Sequence, residues 1–512
     1  MRAEKRRGRR LTLKKYISLL LVLLLLVGTA PAAFAASVPA DQPLAEKVED
    51  TVREPTCTEA GMILKEDPVT HTVRTEAIPP LGHRFGAWMA DANSGLETRI
   101  CELCGETEFR RPVTAEELEV ARLDLSGSMD GINKKTKVTL EASFSGMGEQ
   151  FHCFAVMTHQ GHSTLGLIKP NYTIRFYDDP EGNEKHKLCF SDWQKEHKYI
   201  LKADYYDVTQ CRNLVGARLW RQITECRPRL NPHLAALPTR GAVDGFPVSV
   251  WLNGEFLGLY TMCLHKDDDL YGMEEGEHEA LVICNRKTED EASFRAPAVL
   301  DEEGVHDWEV DFCGTEDWTW LRGSFNGLIS FVMNSSDEDF RAHLADYLDV
   351  DAATDYLIFL YALGLQNGGV KDLVMLNYGG TWIPSAFDMD EAFGLEPLGF
   401  AATDEPETAF LPSMEAENHS SGTGSLLWDR FLKNFEPEIA TRYRILRAGV
   451  LSDESLLSLV EGFTGGIPEA LYMRDAERYP GRPAADEMIQ QILTYIPRRM
   501  ATLDDIFGGR EG

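Results

Sequence analysis

The stretch "AFDMDEAFG", Ala386 to Gly394, sets two acids, Asp388 and Asp390, one residue apart at the end of an apolar run. Oxygen-only ligands of this kind suit Mg2+ or Mn2+, which take one or two carboxylates together with phosphate oxygens of a nucleotide. Asp388 could equally cap the following turn through its side chain. What else the chain brings to the same point bears on the choice. In "KDLVMLNYGGTWIPSAFDMD" two apolar runs flank a turn at Gly379-Gly380, and a two-residue turn there sets Asp372 opposite Phe387 and Lys371 opposite Asp388. Cross-strand and diagonal neighbours lie roughly 5 to 8 Å apart. Two carboxylates so close repel unless a cation or a proton lies between them, and a divalent metal would explain the arrangement. Asp390 and Glu391 could complete or orient such a shell.

The elements that must position these acids follow from residue pattern. The runs "KVTLEASF", "FHCFAVMTH", "NYTIRFYDD" and "KYILKADYY" are short, β-branched or aromatic, and separated by Gly, Asp and Pro, so they predict strands. "CRNLVGARLWRQITE" carries Leu214, Val215, Ala217, Leu219 and Ile223 at helical spacing. "FPVSVWLNGEFLGLYTMCL" predicts a hairpin turning at Asn253-Gly254, a pair that accepts φ > 0 at both positions. The remainder predicts helices over 318–332, 337–348 and "DAATDYLIFLYALGLQ", one further hairpin, and amphipathic helices from Leu426 to the end. Strands first and helices later is an α+β order. Residues 405–425, rich in Glu, Ser and Gly, predict a solvated mobile linker or a lid.

At 512 residues the chain is long enough for more than one domain. Residues 1–35 have the form of a signal peptide, with basic residues before "YISLLLVLLLLVG" and the triplet Ala33-Phe34-Ala35 after it. Export and cleavage are expected, giving a secreted or surface-held product of a Gram-positive-type bacterium with no stable membrane span; the alternative is an uncleaved anchor. The leader's eight basic and one acidic side chains sum to +7, so its removal takes the formal charge from −31 to −38. Such a chain repels nucleic acid and anionic lipid, which argues against a polyanion partner. Residues 36–115 form a separate small segment in which Cys101 and Cys104 are the one close pair among ten cysteines. A C-x-x-C pair can be half of a structural Zn2+ site, with Cys57 and His83 as further ligands, or a strained disulfide, or reduced thiols.

Several pieces between about Ile132 and Phe507 match one family in order: "HQGHSTLGLIKPNYTIRFYDD", "YILKADYYDVTQCRNLVGARLW", "FPVSVWLNGEFLGLY", "GTWIPSAFDMDEAFG" and "LLWDRF". On these pieces, residues 120–510 resemble the secreted CotH proteins, named for a spore-coat member. The segment before them resembles Cys-containing repeats of Gram-positive surface proteins. CotH proteins are similar to protein kinases and include active ones. The resemblance therefore implies a bilobal, atypical kinase-like fold with a strand-rich N-lobe and a helical C-lobe, ATP with Mg2+ or Mn2+ as cofactors, and a secreted or surface protein as phosphoryl acceptor. Kinase chemistry needs phosphates held, charge neutralised and a hydroxyl aimed. By the resemblance, Lys202 in "YILKAD" is the nucleotide lysine; its bland reading is a snorkelling surface lysine. "QGHST" with Lys169 is similar to the family's Gln-Gly-Asn-Ser-Ser loop and lysine, which puts Gln160, Ser163 and Lys169 around the phosphates, with His162 in place of the usual Asn. A plain turn and a solvated Lys169 form the competing account. Asp388 corresponds to the family's metal-binding acid, and Asp390 repeats its Asp-x-Asp form.

The catalytic loop departs from the pattern. "NGGVKD" puts Asn367 where the base Asp is expected and Asp372 where the metal-binding Asn is expected. Asn cannot accept a proton, although it can position a hydroxyl. A loop shifted by one residue would make Asp372 the acceptor, and a protein that binds nucleotide or metal without transfer is the third outcome. The function expected is transfer of the ATP γ-phosphoryl group to protein hydroxyls by a catalytic set of Asn367, Asp372 and Asp388, with Asp372, Asp388 and Asp390 on the metal. Its rival is a non-catalytic surface or coat protein acting in binding and assembly. A weaker reading makes residues 36–115 a wall-adhesion module with Phe85 and Trp88 as contact aromatics.

Overall fold

The computed structural model describes residues 52–66, 73–78, 80–84, 89–90, 97–110, 120–161, 163–285, 290–301, 305–403, 405, 410–414 and 419–508. Residues 1–35, read above as a signal peptide, and Phe85, Trp88 and His162 lie outside them. The chain divides into two compact units, residues 1–112 and 113–512. The first holds two small antiparallel sheets. One is β1 (Val52–Arg53), β2 (Gly61–Glu66) and β3 (Val73–Ile78); the other is β4 (Met89–Ala90), β5 (Glu97–Ile100) and β6 (Thr107–Arg110).

The second unit begins with β7 (Ala121–Ser126), β8 (Val138–Gly146), β9 (Glu149–Gln160), β10 (Asn171–Tyr177), β11 (Lys198–Lys202), β12 (Gly245–Leu252) and β13 (Glu255–Leu264). These seven close into a barrel in the order β10-β11-β13-β12-β7-β8-β9. Closure pairs every strand on both sides and leaves no edge. Period-two alternation builds it: Leu123 and Leu125 in β7, and Leu140, Ala142 and Phe144 in β8, point inward between exposed or half-buried neighbours. The β12–β13 turn falls where the sequence predicts it, with Asn253 and Gly254 at φ of 51° and 82°. The closure itself is not expected from the sequence, because it depends on a parallel pairing of β7 with β12, more than a hundred residues apart.

A second sheet has the order β15-β14-β16-β17, from β14 (Glu279–Cys284), β15 (Trp308–Cys313), β16 (Leu373–Tyr378) and β17 (Trp382–Ala386). The sequence predicts only the β16–β17 hairpin here. The sheet lies between two apolar clusters: Leu281, Ile283, Val374 and Leu376 join the barrel cluster, while Ala280, Val282, Leu373 and Met375 join the helical one. A strand covered on both faces carries a continuous apolar run rather than alternation, so "EALVIC" gives no period-two signal.

Helices make up most of the rest, including Arg212–Glu225, Thr319–Asn334, Val350–Leu363 and five from Leu426–Asn434 to Ala485–Leu503. The α+β order holds. Helix Val350–Leu363 is started by the Asp349 side chain, which accepts from the Ala352 N–H at 2.9 Å, and stopped by Gly364 at φ 73°. It is buried on all sides from Ala352 to Leu363 and delivers the loop carrying Asn367 and Asp372. The described part of 405–425 is not the solvated linker predicted. Ser421 and Ser425 are fully buried, Tyr361 donates to the Ser421 carbonyl at 3.0 Å, and Arg499 donates to that of Phe410 at 2.6 Å. A methyl group built on Gly369 would lie 2.2 Å from Thr423 Cβ, so this segment packs directly on the Asn367–Asp372 loop.

Candidate functional site

Strands β16 and β17 pair in the register the sequence predicts, with Leu373 opposite Ala386. Asp372 precedes the first pair and Asp388 follows it by one residue beyond Phe387. Asn377 fixes the far end, its side chain bridging the Gly380 N–H and carbonyl at 3.0 and 2.9 Å. At the near end both acids occupy the left-handed region, Asp372 at φ 61° and Asp388 at φ 56°. Asp tolerates that region better than most residues. Asn367, Asp372, Asp388 and Glu391 line one small cleft together with Tyr356 and Phe387.

The barrel brings a cation to the same point. Lys202, the last residue of β11, donates to Asp388 Oδ1 at 2.6 Å and to Asn213 Oδ1 at 3.1 Å. Asn213, near the start of helix Arg212–Glu225, also accepts from the Met389 N–H at 2.9 Å and donates to Asp204 Oδ1 at 3.1 Å. Thr261 holds the other Asp204 oxygen at 2.6 Å. The helix can approach this closely because residue 216 is glycine: a Cβ there would come within 2.9 Å of Met389 Cβ. Buried Arg212 adds a second brace, donating to the Ala392 carbonyl and to Gln491 Oε1, the latter at 3.0 Å.

Electrostatics set the acids apart. Burial opposes ionisation of Asp388, but the charge and hydrogen bond of Lys202, with Lys371 and Lys266 nearby, hold it below the usual carboxylate range. Burial and the negative charge of Asp388 push Asp372 up to about 7, against the pull of Lys371 at 3.3 Å. Burial and Asp388 likewise raise Asp390 well above its ordinary value. Glu391 is raised by burial, and both its carboxylate oxygens accept from the Asn367 amide nitrogen, at 2.9 and 2.8 Å. The three aspartates do not form a preformed cage: among the described residues, the one group of three or more His, Cys, Asp or Glu side chains with ligand atoms within 4.8 Å of one another lies elsewhere, in the first unit.

A family described as CotH kinase protein matches residues 157–503, about two thirds of the chain. The chain belongs to the CotH family. A comparison with curated proteins gives no match. The CotH region takes in Gln160, Lys202, Asn213, Asn367, Asp372, Asp388 and Asp390, and leaves the first unit outside it.

Other residues expected at the CotH site are placed variously. Gln160 pairs with Asn171, and the register of β10, β11 and β13 carries the same row on through Lys202 to Thr261. Opposed residues of paired strands face the same way, so Gln160 stands two strands, roughly 10 Å, from Lys202. Ser163 lies in the short 3-10 turn Ser163–Gly166, which Asn171 ties to the Lys202 strand by accepting from the Ala203 N–H at 2.7 Å and donating to Thr164 Oγ1 at 3.3 Å. Lys169 is neither solvated nor drawn to Asp388. Its ammonium is fully buried, donating to the Leu259 carbonyl at 2.5 Å and to Asp475 Oδ2 at 3.0 Å.

Sequence reasoning missed Asn213, Asp204 and Lys266. An asparagine near a helix start is an ordinary sight, and nothing local marks its three partners. The one available signal was Asp204, an acid two residues after Lys202 at the strand's end; its φ of 44° belongs to the same left-handed class as Asp372 and Asp388.

Proposed function

We propose that the CotH region is a bilobal, kinase-like phosphotransferase that moves the γ-phosphoryl group of ATP to hydroxyls of secreted or surface proteins. The barrel would be the strand-rich lobe and the helical part the other. The observation that carries the reading is the 2.6 Å contact of Lys202 with Asp388, which brings a barrel lysine onto the acidic end of the hairpin. Donor chemistry fits Mg2+ or Mn2+: Asp388 and Asp372, with Asp390 beside them, offer only oxygen. When bound, such an ion neutralises charge on the phosphates.

In this reading Lys202 binds phosphate oxygens, and Asn213 keeps its ammonium aimed. Asn367 can orient an acceptor hydroxyl but cannot take its proton, a deficit worth about 10² to 10⁴ in rate. Asp372, pushed up to about 7 by burial and the Asp388 charge in the absence of a cation, would ionise beside a bound metal, so in this reading it serves as a ligand and not as the base. The test uses the full chain with labelled ATP, Mn2+ and a generic protein acceptor. Incorporation that disappears in Asp388→Ala supports the enzyme.

A second reading, a nucleotide- or metal-binding surface or coat protein without transfer, draws support from one contact: the Asn367 amide is already held by Glu391. Nucleotide binding without incorporation favours it.

A further inference from the structure

Outside the CotH region, the first unit gathers four side chains from three separate segments. Cys57 lies in the turn between β1 and β2, His83 in the segment 80–84, and Cys101 and Cys104 in the tight loop between β5 and β6. Their ligand atoms all fall within 4.8 Å of one another. Cys57 Sγ lies 3.8 Å from Cys101 Sγ, and Cys104 Sγ lies 3.4 Å from His83 Nδ1. Zn–S bonds of about 2.3 Å and a Zn–N bond of about 2.0 Å at tetrahedral angles hold two sulfurs about 3.8 Å apart, and sulfur and nitrogen about 3.5 Å apart. A disulfide needs its sulfurs at about 2.05 Å.

The surroundings suit a closed metal site. His83 Nε2 faces Glu106 Oε2 at 3.2 Å, and a carboxylate on the far ring nitrogen leaves Nδ1 free of its proton for a metal. Backbone bonds shape both cysteine loops: the Arg84 N–H donates to Cys101 Sγ at 3.3 Å, Gly105 to the Cys101 carbonyl at 2.9 Å, and Gly82 to the Cys57 carbonyl at 3.0 Å. Gly82 and Gly105 take φ of 72° and 74°, which a side chain would resist.

The part of this unit whose side chains are described shows little apolar core. Among its residues whose side-chain burial is described, Cys57 and Cys101 are buried, while Leu81, Ile100 and Leu103 are exposed. Domains with so little core rely on disulfides, metals or partners.

We propose that Cys57, His83, Cys101 and Cys104 bind a single zinc ion that staples the N-terminal unit. Three thiolates and one imidazole gathered within 4.8 Å select zinc over Mg2+ or Ca2+. Four protein ligands leave no open position, so the ion is structural rather than catalytic. The set comes wholly from outside the CotH match and does not depend on phosphoryl transfer.

The test uses the full chain, produced without a polyhistidine tag and handled without chelator. Elemental analysis should find one zinc per chain. After chelation and denaturation, all ten cysteines should titrate as thiols. Cys101→Ser should lose the zinc, and Cys153→Ser, in the barrel, should keep it. Cobalt exchanged into the site should show the d–d absorption of a tetrahedral thiolate centre, shifted in His83→Ala. If the serine variant fails to fold, the zinc content, thiol count and cobalt spectrum of the unmutated chain still decide. Absence of zinc with two thiols fewer overturns the proposal, as does full zinc retention in Cys101→Ser or an unchanged cobalt spectrum in His83→Ala.

Discussion

Replacing Asn213 by alanine removes three hydrogen bonds at once: those it accepts from the Lys202 ammonium and the Met389 N–H, and the one it donates to the Asp204 carboxylate. Lys202 keeps Asp388 and Asp204 keeps Thr261, so neither charge is stranded. The Met389 N–H, beneath a residue only 2% exposed, is left without its acceptor. An unsatisfied buried donor costs about 1–3 kcal/mol, and a hydrogen bond to a charged group contributes about 1.5–3 kcal/mol when no substitute partner exists. The sum, discounted for the partners that remain, is a loss of about 2–4 kcal/mol. Urea unfolding should show a lower midpoint with an unchanged m-value, together with weaker Mn2+–ATP binding, because both Lys202 and the backbone at Met389 lose their fixed point. Asn213→Asp keeps an oxygen to accept from Lys202 and Met389 but turns the donor to Asp204 into a like charge, so it should destabilise more as pH rises and both carboxyls ionise. An Asn213→Ala protein within about 0.5 kcal/mol of the parent, the range of an inert surface change, would refute the brace.

Asp372 sits at about 7 in the folded protein against an ordinary 3.8, so folding favours its protonated form; the stabilisation is complete below about pH 4 and lost as pH rises through about 7, a swing on the order of 2–4 kcal/mol. In metal-free protein, the stability of the parent relative to Asp372→Asn should fall over that window in urea titrations, and a flat difference rejects the shift. Asp475→Asn removes the carboxylate shared by buried Lys169 and Arg482 at 3.0 and 2.7 Å; losing one partner of a buried pair costs about 3–5 kcal/mol, read as a drop in Tm. Gly369→Ala forces its new methyl against Thr423 Cβ and should cost about 1–3 kcal/mol in the same assay, with part of the loss recovered by Thr423→Gly.

The β16–β17 register was legible because a Gly-Gly turn and flanking apolar runs fix it locally, and that register alone is enough to bring Asp372 near Asp388. The β12–β13 hairpin was legible for the same reason. The barrel was not, because its closing pair joins Ala121 to Val248, a contact with no local signature. Nor was the burial of Lys169, whose partner Asp475 lies 306 residues further along. Lys202 and Asp388 each stand out in their own segments, but the contact that relates them spans 186 residues and had to come from the fold. The Cys101-Cys104 pair was visible as a motif, with Cys57 and His83 as candidate further ligands, but that three loops bring all four together had to come from the fold.

The left-handed backbone at Asp372 and Asp388 has an evolutionary consequence. Most side chains meet a penalty of about 1–2 kcal/mol there, which Asp, Asn and Gly largely escape. Drift at these two positions is therefore channelled into a three-letter alphabet. An acid can mutate to its neutral amide and revert without disturbing the loop around it. Lineages could switch charge off and on at this point by single codon changes, keeping the architecture intact while the chemistry lapses or returns.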